Sequence, residues 1–324
     1  MTTPAGQNKT YGRIGIKEDV HDIIYDISPT DTPAMQMAKR LTARNSLHQW
    51  QTDSLAAAAA NNAVEGADAS FSSAAATTML GNYTAISTKT ISVSRTLDTV
   101  AKYGRATEMG YLVAKYGKEL KRDIELMLVG SQGSAAATAS TARYTAGWRA
   151  MIQNYARCTG TTVTAGTVYP YSNGWTASSD STASTMLEAD LKNALELAWT
   201  DGGSTDTILV NSKQKKRLSS FGGASAFEGF TASNGRGAQG VVIGGVDLYV
   251  SDYGAHKVVM DRFLGQTAVL CLDSEYTGIA WLDTIKVEDL AKVGDGRRKQ
   301  IVCEWAAVLQ NPDAHAQLIG CKAT

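Results

Sequence analysis

Gly235, Gly237 and Gly240 stand at the G-x-G-x-x-G spacing of a dinucleotide-binding turn. That motif works when a strand leads in and a helix leads out, so that the helix N-terminus meets a pyrophosphate. Here Ser233 and Asn234 precede it, and Val241, Val242 and Ile243 follow before a Gly244-Gly245 turn, which is the pattern of a flexible loop. A nucleotide-dependent enzyme is therefore the weakest reading of the chain. His21, His48, His256 and His315 form no H-x-x-x-H pair and lie near no cysteine pair, so no metal site and no cofactor are expected. Ser251, Asp252 and His256 are close in sequence, but no strand-to-helix elbow would expose the serine, and no catalytic residue is assigned. Cys158, Cys271, Cys303 and Cys321 are far apart, with no C-x-x-C and no disulfide suggested by spacing; a reducing compartment fits.

Two basic clusters are left, Lys213, Lys215, Lys216 and Arg217 on one short segment, and Arg297, Arg298 and Lys299 on another. Neither is interleaved with aromatics, and 31 basic side chains balance 31 acidic ones, so no long-range field recruits nucleic acid. Salt bridges, a solvated face or a neighbouring protein's carboxylates are the expected partners. Charged residues are only 19% of the 324, against the ~25% usual in soluble domains. Ala, Ser, Thr and Gly fill the difference, and such small residues suit protein-covered surface. Behind Met1 there is no basic segment followed by an apolar one, and no apolar run approaches the ~18 residues of a membrane span. Neither secretion by that route nor membrane insertion is expected.

These residues must be carried by an irregular succession of elements. Residues 1–17 read as an extended arm, and Val20, Ile23, Ile24 and Ile27 share one helical face. Thr30-Asp31-Thr32-Pro33 offers a cap and a proline at the first helical position, predicting a second helix from Pro33 to Ala43. Leu47 to Leu55 and Asn82 to Leu97 are strand-like and suggest a long hairpin. Its tip, residues 56–81, is too long for an ordinary loop. Residues 98–130 predict one long helix, capped by Thr96 or Asp98 and closed by Gly130 and Gly133, with Met109, Leu112, Val113, Tyr116, Leu120, Ile124 and Met127 as its stripe. Gly110 and Gly117 share a face of it, which favours the close passage of another backbone. Residues 131–184 read as loops with brief strands. Thr185 and Glu188 form a capping box for a helix lined by Leu187, Leu191, Leu195 and Ala198. A strand at Ile208 to Val210, a short helix, and strands at 241–243, 246–250, 257–260, 268–272 and 298–310 complete the chain.

Ile23-Ile24-Tyr25, Ile27-Ser28-Pro29-Thr30-Asp31-Thr32-Pro33 and His48-Gln49-Trp50-Gln51-Thr52-Asp53-Ser54-Leu55 resemble the opening of a group of tailed-phage major capsid proteins. The resemblance returns at Lys118 to Glu125, at Thr141-Ala142-Arg143, and from Glu304-Trp305 to Asn311-Pro312-Asp313-Ala314-His315-Ala316. It implies an α+β chain of the Hong Kong 97-type capsid fold. The arm would be residues 1–43, the extended loop 44–95, a peripheral domain with its spine helix 96–149, an axial domain 150–285, and returning peripheral strands 286–324. The implied function is a non-enzymatic shell subunit that forms hexamers and pentamers in an icosahedral virion head, assembled in the host cytoplasm around double-stranded DNA held without sequence preference. A portal protein, a scaffolding protein separate from this chain, and decoration proteins are the implied partners; an encapsulin-like cage of the same fold is the alternative. Candidate contacts between subunits are Tyr11, Ile14, Trp50, Glu65, Phe71, Lys213, Lys215, Lys216 and Arg217. Some relatives cross-link a loop lysine to a neighbour's asparagine. This chain has no lysine between Lys39 and Lys89, so no such bond is expected.

Overall fold

The computed structural model describes residues 28–62, 65, 66, 68, 71, 73–158, 175, 184–221 and 247–322. Tyr11, Ile14, the helix expected around Val20 to Ile27, the glycine motif at 235–240 and the strand at 241–243 lie outside these residues.

Pro33 does open a helix, α1 (Pro33–Met37), but it stops after five residues and Lys39–Thr42 becomes strand β1. The expected continuation to Ala43 loses to sheet formation, because β1 pairs in parallel with Gly278 to Trp281. Thr32 makes no side-chain cap. The first amides of α1 are instead met from another element, described below.

The expected long hairpin is divided in two. β2 (Leu47–Thr52) pairs with β3 (Thr78–Tyr83), and after Thr84 the chain continues as β4 (Ala85–Ser94) into a different sheet. Asn82 enforces this division. It is buried, its Nδ2 donates to Thr145 Oγ1 (3.0 Å), Ala146 O (3.3 Å) and Ala307 O (2.8 Å), and its Oδ1 accepts the Ala146 N–H (3.0 Å). Thr84 bonds Glu304 Oε1 at 2.6 Å, and Arg143 pairs with the same carboxylate while its Nε donates to Thr84 O (3.1 Å). A buried polar junction of this kind is costly to leave half-made and so fixes where the loop leaves the body.

The expected single rod over 98–130 is two helices, α2 (Arg95–Thr99) and α3 (Glu108–Leu128). Gly104 adopts φ +73° between them, where a side chain would be strained. Asp98, expected to cap a helix, caps the one after the break: its carboxylate accepts the Glu108 N–H at 3.1 Å. Twenty-one residues span about 31 Å rather than ~45 Å. Along the expected stripe Met109, Leu120 and Ile124 are buried, and Leu112, Val113, Tyr116 and Met127 are partly buried against the same core. Among the described residues, no backbone of another element comes within 4 Å of a Cβ placed at Gly110 or Gly117. A Cβ at Gly117 would meet nothing within 4 Å, and one at Gly110 only the Thr107 hydroxyl.

α4 (Trp148–Met151) leads to β5 (Asn154–Arg157), and α5 (Glu188–Thr200) follows. The Thr185/Glu188 box does not form. Leu187 occupies the cap position, half exposed, and its N–H is accepted by Asp190 Oδ2 at 3.0 Å, so the reciprocal carboxylate lies two residues later than expected. Leu191, Leu195 and Ala198 are buried as the spacing requires. β6 (Thr207–Val210) and α6 (Ser212–Leu218) agree with expectation, α6 being capped by Asn211, which accepts the Lys213 N–H. β7 (Leu248–Ser251), β8 (Gly254–Met260), β9 (Val269–Leu272), β10 (Thr277–Asp289), β11 (Gly296–Leu309), a 3-10 turn at Pro312–Ala314 and β12 (Ala316–Ile319) complete the described chain.

Among the described residues the strands form a four-stranded sheet in the order β1-β10-β11-β4, a six-stranded sheet β5-β12-β9-β6-β8-β7, and the separate β2-β3 ribbon. Residues 286–324 are thus shared between the two larger sheets. α3 lies on the four-stranded sheet, where Ile124 and Leu128 join Ile91, Val93, Cys303 and Trp305 in one core. The middle strands of the six-stranded sheet are buried on both faces, as their unbroken apolar runs require. Leu209, Leu270 and Leu272 point into the α3 core, while Ile208, Val210, Val269 and Cys271 point to α5.

Candidate intersubunit interface

Most of the chemistry-capable groups turn out to be structural. Ser251 Oγ lies 2.7 Å from His256 Nε2, and His256 Nδ1 lies 2.7 Å from the Thr205 carbonyl. A carbonyl only accepts, so Nδ1 carries the proton and Nε2 accepts the Ser251 hydroxyl. His256 is buried and burial lowers its pKa, whereas Asp252 faces Lys192 (3.7 Å) instead of completing a triad. The pair pins the turn between β7 and β8. His315 is buried outright, its pKa pushed down to about 3, and its Nδ1 accepts the Asp273 N–H at 3.0 Å. Among the described residues no group of three His, Cys, Asp or Glu side chains could hold a metal, and no helix is long and apolar enough to cross a membrane.

The basic cluster on α6 is split by the helix. Lys215 is buried and reaches Asp247 at 3.0 Å, and Arg217 Nε donates to the Met186 carbonyl at 3.0 Å. Lys213 and Lys216 face outward. In the other cluster Lys299 pairs with Asp289 (3.1 Å) and Arg297 approaches Asp98 (3.7 Å). Trp50 is half-buried against its own core, with His48 at a ring separation of 5.9 Å.

The segment joining β2 to β3 behaves differently. Leu55 is 100% exposed and Phe71 97%, and Glu65 sits on an exposed turn beside Gly66, whose φ is +80°. Residues 53–77 contain Asp53, Glu65 and Asp68 and no lysine or arginine. Large apolar side chains held fully in water, on a ribbon leaving the body, mark a surface awaiting protein. Elsewhere a cavity of about 690 Å³ opens between α1, α3 and β10, lined by Met35, Arg40, Lys121, Trp281 and Ile285 among others. Beside it β10 is paired on both sides only as far as Trp281. Beyond that residue no strand among the described residues pairs with one edge, and Leu282, Val287 and, just past the strand, Leu290 are exposed.

Position, exposure and charge could have suggested Leu55, which was missed; the sequence signal was its place at the end of a strand before five alanines. The cavity was not visible in sequence, because its walls come from three segments far apart. Lys89 lies in β4 of the main sheet and binds Asp123 of α3 at 2.7 Å. All four cysteines are buried thiols, but two of them meet. Cys158 and Cys321, both buried, are brought together with their sulfurs 2.6 Å apart, a meeting that a separation of 163 positions in the sequence conceals from any spacing argument.

The structure is similar in fold to phage-type capsid chains. To a cyanophage A-1(L) capsid chain the TM-score is 0.67 at 13% identity, covering 95% of this chain and 98% of that one. A capsid chain of a native GTA particle gives 0.61 at 11% identity, covering 98% and 100%, and a Mycobacterium phage Bobi chain 0.59 at 12%, covering 94% and 95%. The fold is of the Hong Kong 97 type, with mixed helix and sheet. In sequence, 124 residues are 39% identical to the major capsid protein of Escherichia phage Phieco32; that match spans 38% of this chain and 35% of the relative's length. The profile of the SU10 major capsid protein family matches residues 3–322, almost the whole sequence, and the chain belongs to that family.

Proposed function

We propose that this chain is the self-assembling, non-enzymatic shell subunit of an icosahedral tailed-phage head, forming hexamers and pentamers around double-stranded DNA. Family membership supports the reading, and the structural observation that carries it is the projecting ribbon with Leu55 and Phe71 wholly in solvent. A subunit that ended its life as a monomer would gain nothing from that exposure; one covered by a neighbour recovers about 25 cal/mol for each Å² of apolar surface removed from water. The sheet organisation supports a division of labour. Residues 96–149 with the four-stranded sheet form the peripheral body, and residues 150–285, carrying most of the six-stranded sheet, form the axial domain around capsomer axes. The ribbon and residues 1–43 overlap adjacent subunits, with Tyr11, Ile14, Trp50, Glu65, Phe71 and the outward Lys213 and Lys216 as contact residues. Portal, scaffolding and decoration proteins act in trans, and assembly takes place in the host cytoplasm.

Electron microscopy of the chain expressed alone and with its neighbouring genes tests this. Closed shells or capsomer rings are expected, and a stable monomer under both conditions by light scattering would refute it.

A further inference from the structure

Cys158 and Cys321 are neighbours by construction of the sheet. β12 runs parallel to β5 with Ile319 opposite Arg157, and the ladder continues one step further through the Cys158 N–H, which donates to Ile319 O at 3.2 Å. Gly320 then turns the chain at φ +70°, and the Cys321 N–H donates to Thr267 O at 2.9 Å. Ser184 holds the same corner from the other side: its N–H donates to Gly320 O (2.9 Å), and its carbonyl accepts the Lys322 N–H (2.6 Å). Both backbones are therefore fixed just past the ends of two adjacent strands, and this brings the two sulfurs to 2.6 Å. The two side chains point at each other in an apolar pocket with Met186, Ala156 and Leu318. Cys271 is buried in the same cluster, on β9 opposite Ala316.

We propose that Cys158 and Cys321 are an oxidisable pair that closes to an intramolecular disulfide when the subunit meets a mildly oxidising medium. With a small-molecule disulfide such as oxidised glutathione as oxidant, the thiolate of one cysteine attacks it, forming a mixed disulfide and releasing one glutathione thiolate. The second cysteine thiolate then attacks the protein sulfur of that mixed disulfide and expels the second glutathione. Two thiols have become one disulfide, and the oxidant has taken up two electrons together with the two thiol protons, leaving as two molecules of reduced glutathione. The bond ties the edge strand β5 to the chain beyond β12 and closes the whole segment between the two cysteines.

The test uses the full chain, equilibrated with reduced or oxidised glutathione in sub-denaturing urea so that burial does not limit access, then quenched by alkylation under denaturing conditions. After oxidation, peptide mapping without reductant is expected to show one linked pair containing Cys158 and Cys321, with Cys271 and Cys303 alkylated. The melting temperature should rise relative to the reduced form, and both signals should vanish in C158S and in C321S while persisting in C271S. Four alkylated cysteines after oxidation, a bond to Cys271, or a bond between chains would each overturn the proposal. Because C158S and C321S can lower stability by themselves, the reduced wild type is the reference for the melting shift.

Discussion

Replacing Glu125 by glutamine should remove a pH dependence that the native subunit carries between pH 4.5 and about 7. Glu125 lies inside α3 and has no solvent exposure, and its two oxygens accept the N–H groups of Ala34 (2.7 Å) and Met35 (2.8 Å) at the start of α1. Burial is the main reason its pKa is pushed up to about 7. The charge of Asp261 adds to this, and the two amides offset part of it. The native state therefore holds a proton that the unfolded chain has released across this window, and stability falls as pH rises through it. The contribution is complete below pH 4.5 and gone above about 7. From 4.5 to about 7, at about 1.4 kcal/mol per pH unit, it amounts to about 3 kcal/mol. Glutamine is neutral throughout but has one acceptor oxygen, so one amide of α1 loses its partner at a roughly pH-independent cost of about 1–3 kcal/mol. Urea denaturation at pH 5, 6, 7 and 8 should show wild type more stable than E125Q at pH 5, with the gap shrinking by about 3 kcal/mol by pH 8. His315 works in the opposite sense, its depressed pKa adding stability as pH rises from about 3 to 6.5, and the difference between the two proteins removes it. A gap that stays constant or widens with pH would refute the reasoning.

N82A should destabilise the chain by about 2–4 kcal/mol in denaturant titrations, because it strands Thr145, Ala146 and Ala307 groups in the interior. Deleting residues 56–75 and joining the ends of the ribbon should leave the melting transition in place while electron microscopy shows no closed shells. Mature particles boiled in SDS with reductant should run as one band near 34.4 kDa, since Lys89 is engaged with Asp123 in the sheet and the projecting segment holds no amine; a ladder would contradict this. K89A should cost less than about 1 kcal/mol, because that ion pair is partly solvated.

The elements with strong local signals were legible: Pro33 opening α1, the stripe of α3, the short helix α6 after β6, and the long apolar strand β11. What failed was decided by distant partners. Nothing near Lys39 shows that Gly278 to Trp281 waits beside it, and Asn82 reads as an ordinary strand residue until Thr145 and Ala307 surround it. β10 has mixed polarity because one part is buried and the rest is solvated, so neither helical nor alternating periodicity holds along its length. The quoted resemblance strings fare better for a physical reason, since Arg143 and Glu304 come from two of them and meet at the root of the ribbon. The capping box at Thr185 was a pattern match that Asp190 took over.

The order in which strands enter the sheets has a consequence for synthesis. β11 is an inner strand of the four-stranded sheet, between β10 and β4, and β12 an inner strand of the six-stranded one, between β5 and β9. Both come after residue 295, so strands made hundreds of residues earlier wait with open ladders while the ribosome finishes. Folding generally proceeds as the chain emerges, but here the four-stranded sheet cannot close until Leu309, nor the six-stranded one until Ile319, has left the exit tunnel. Such long-range pairing is slow. A nascent subunit therefore has no finished surface to offer a neighbour, and polysomes crowded with partial chains are kept from nucleating shells prematurely.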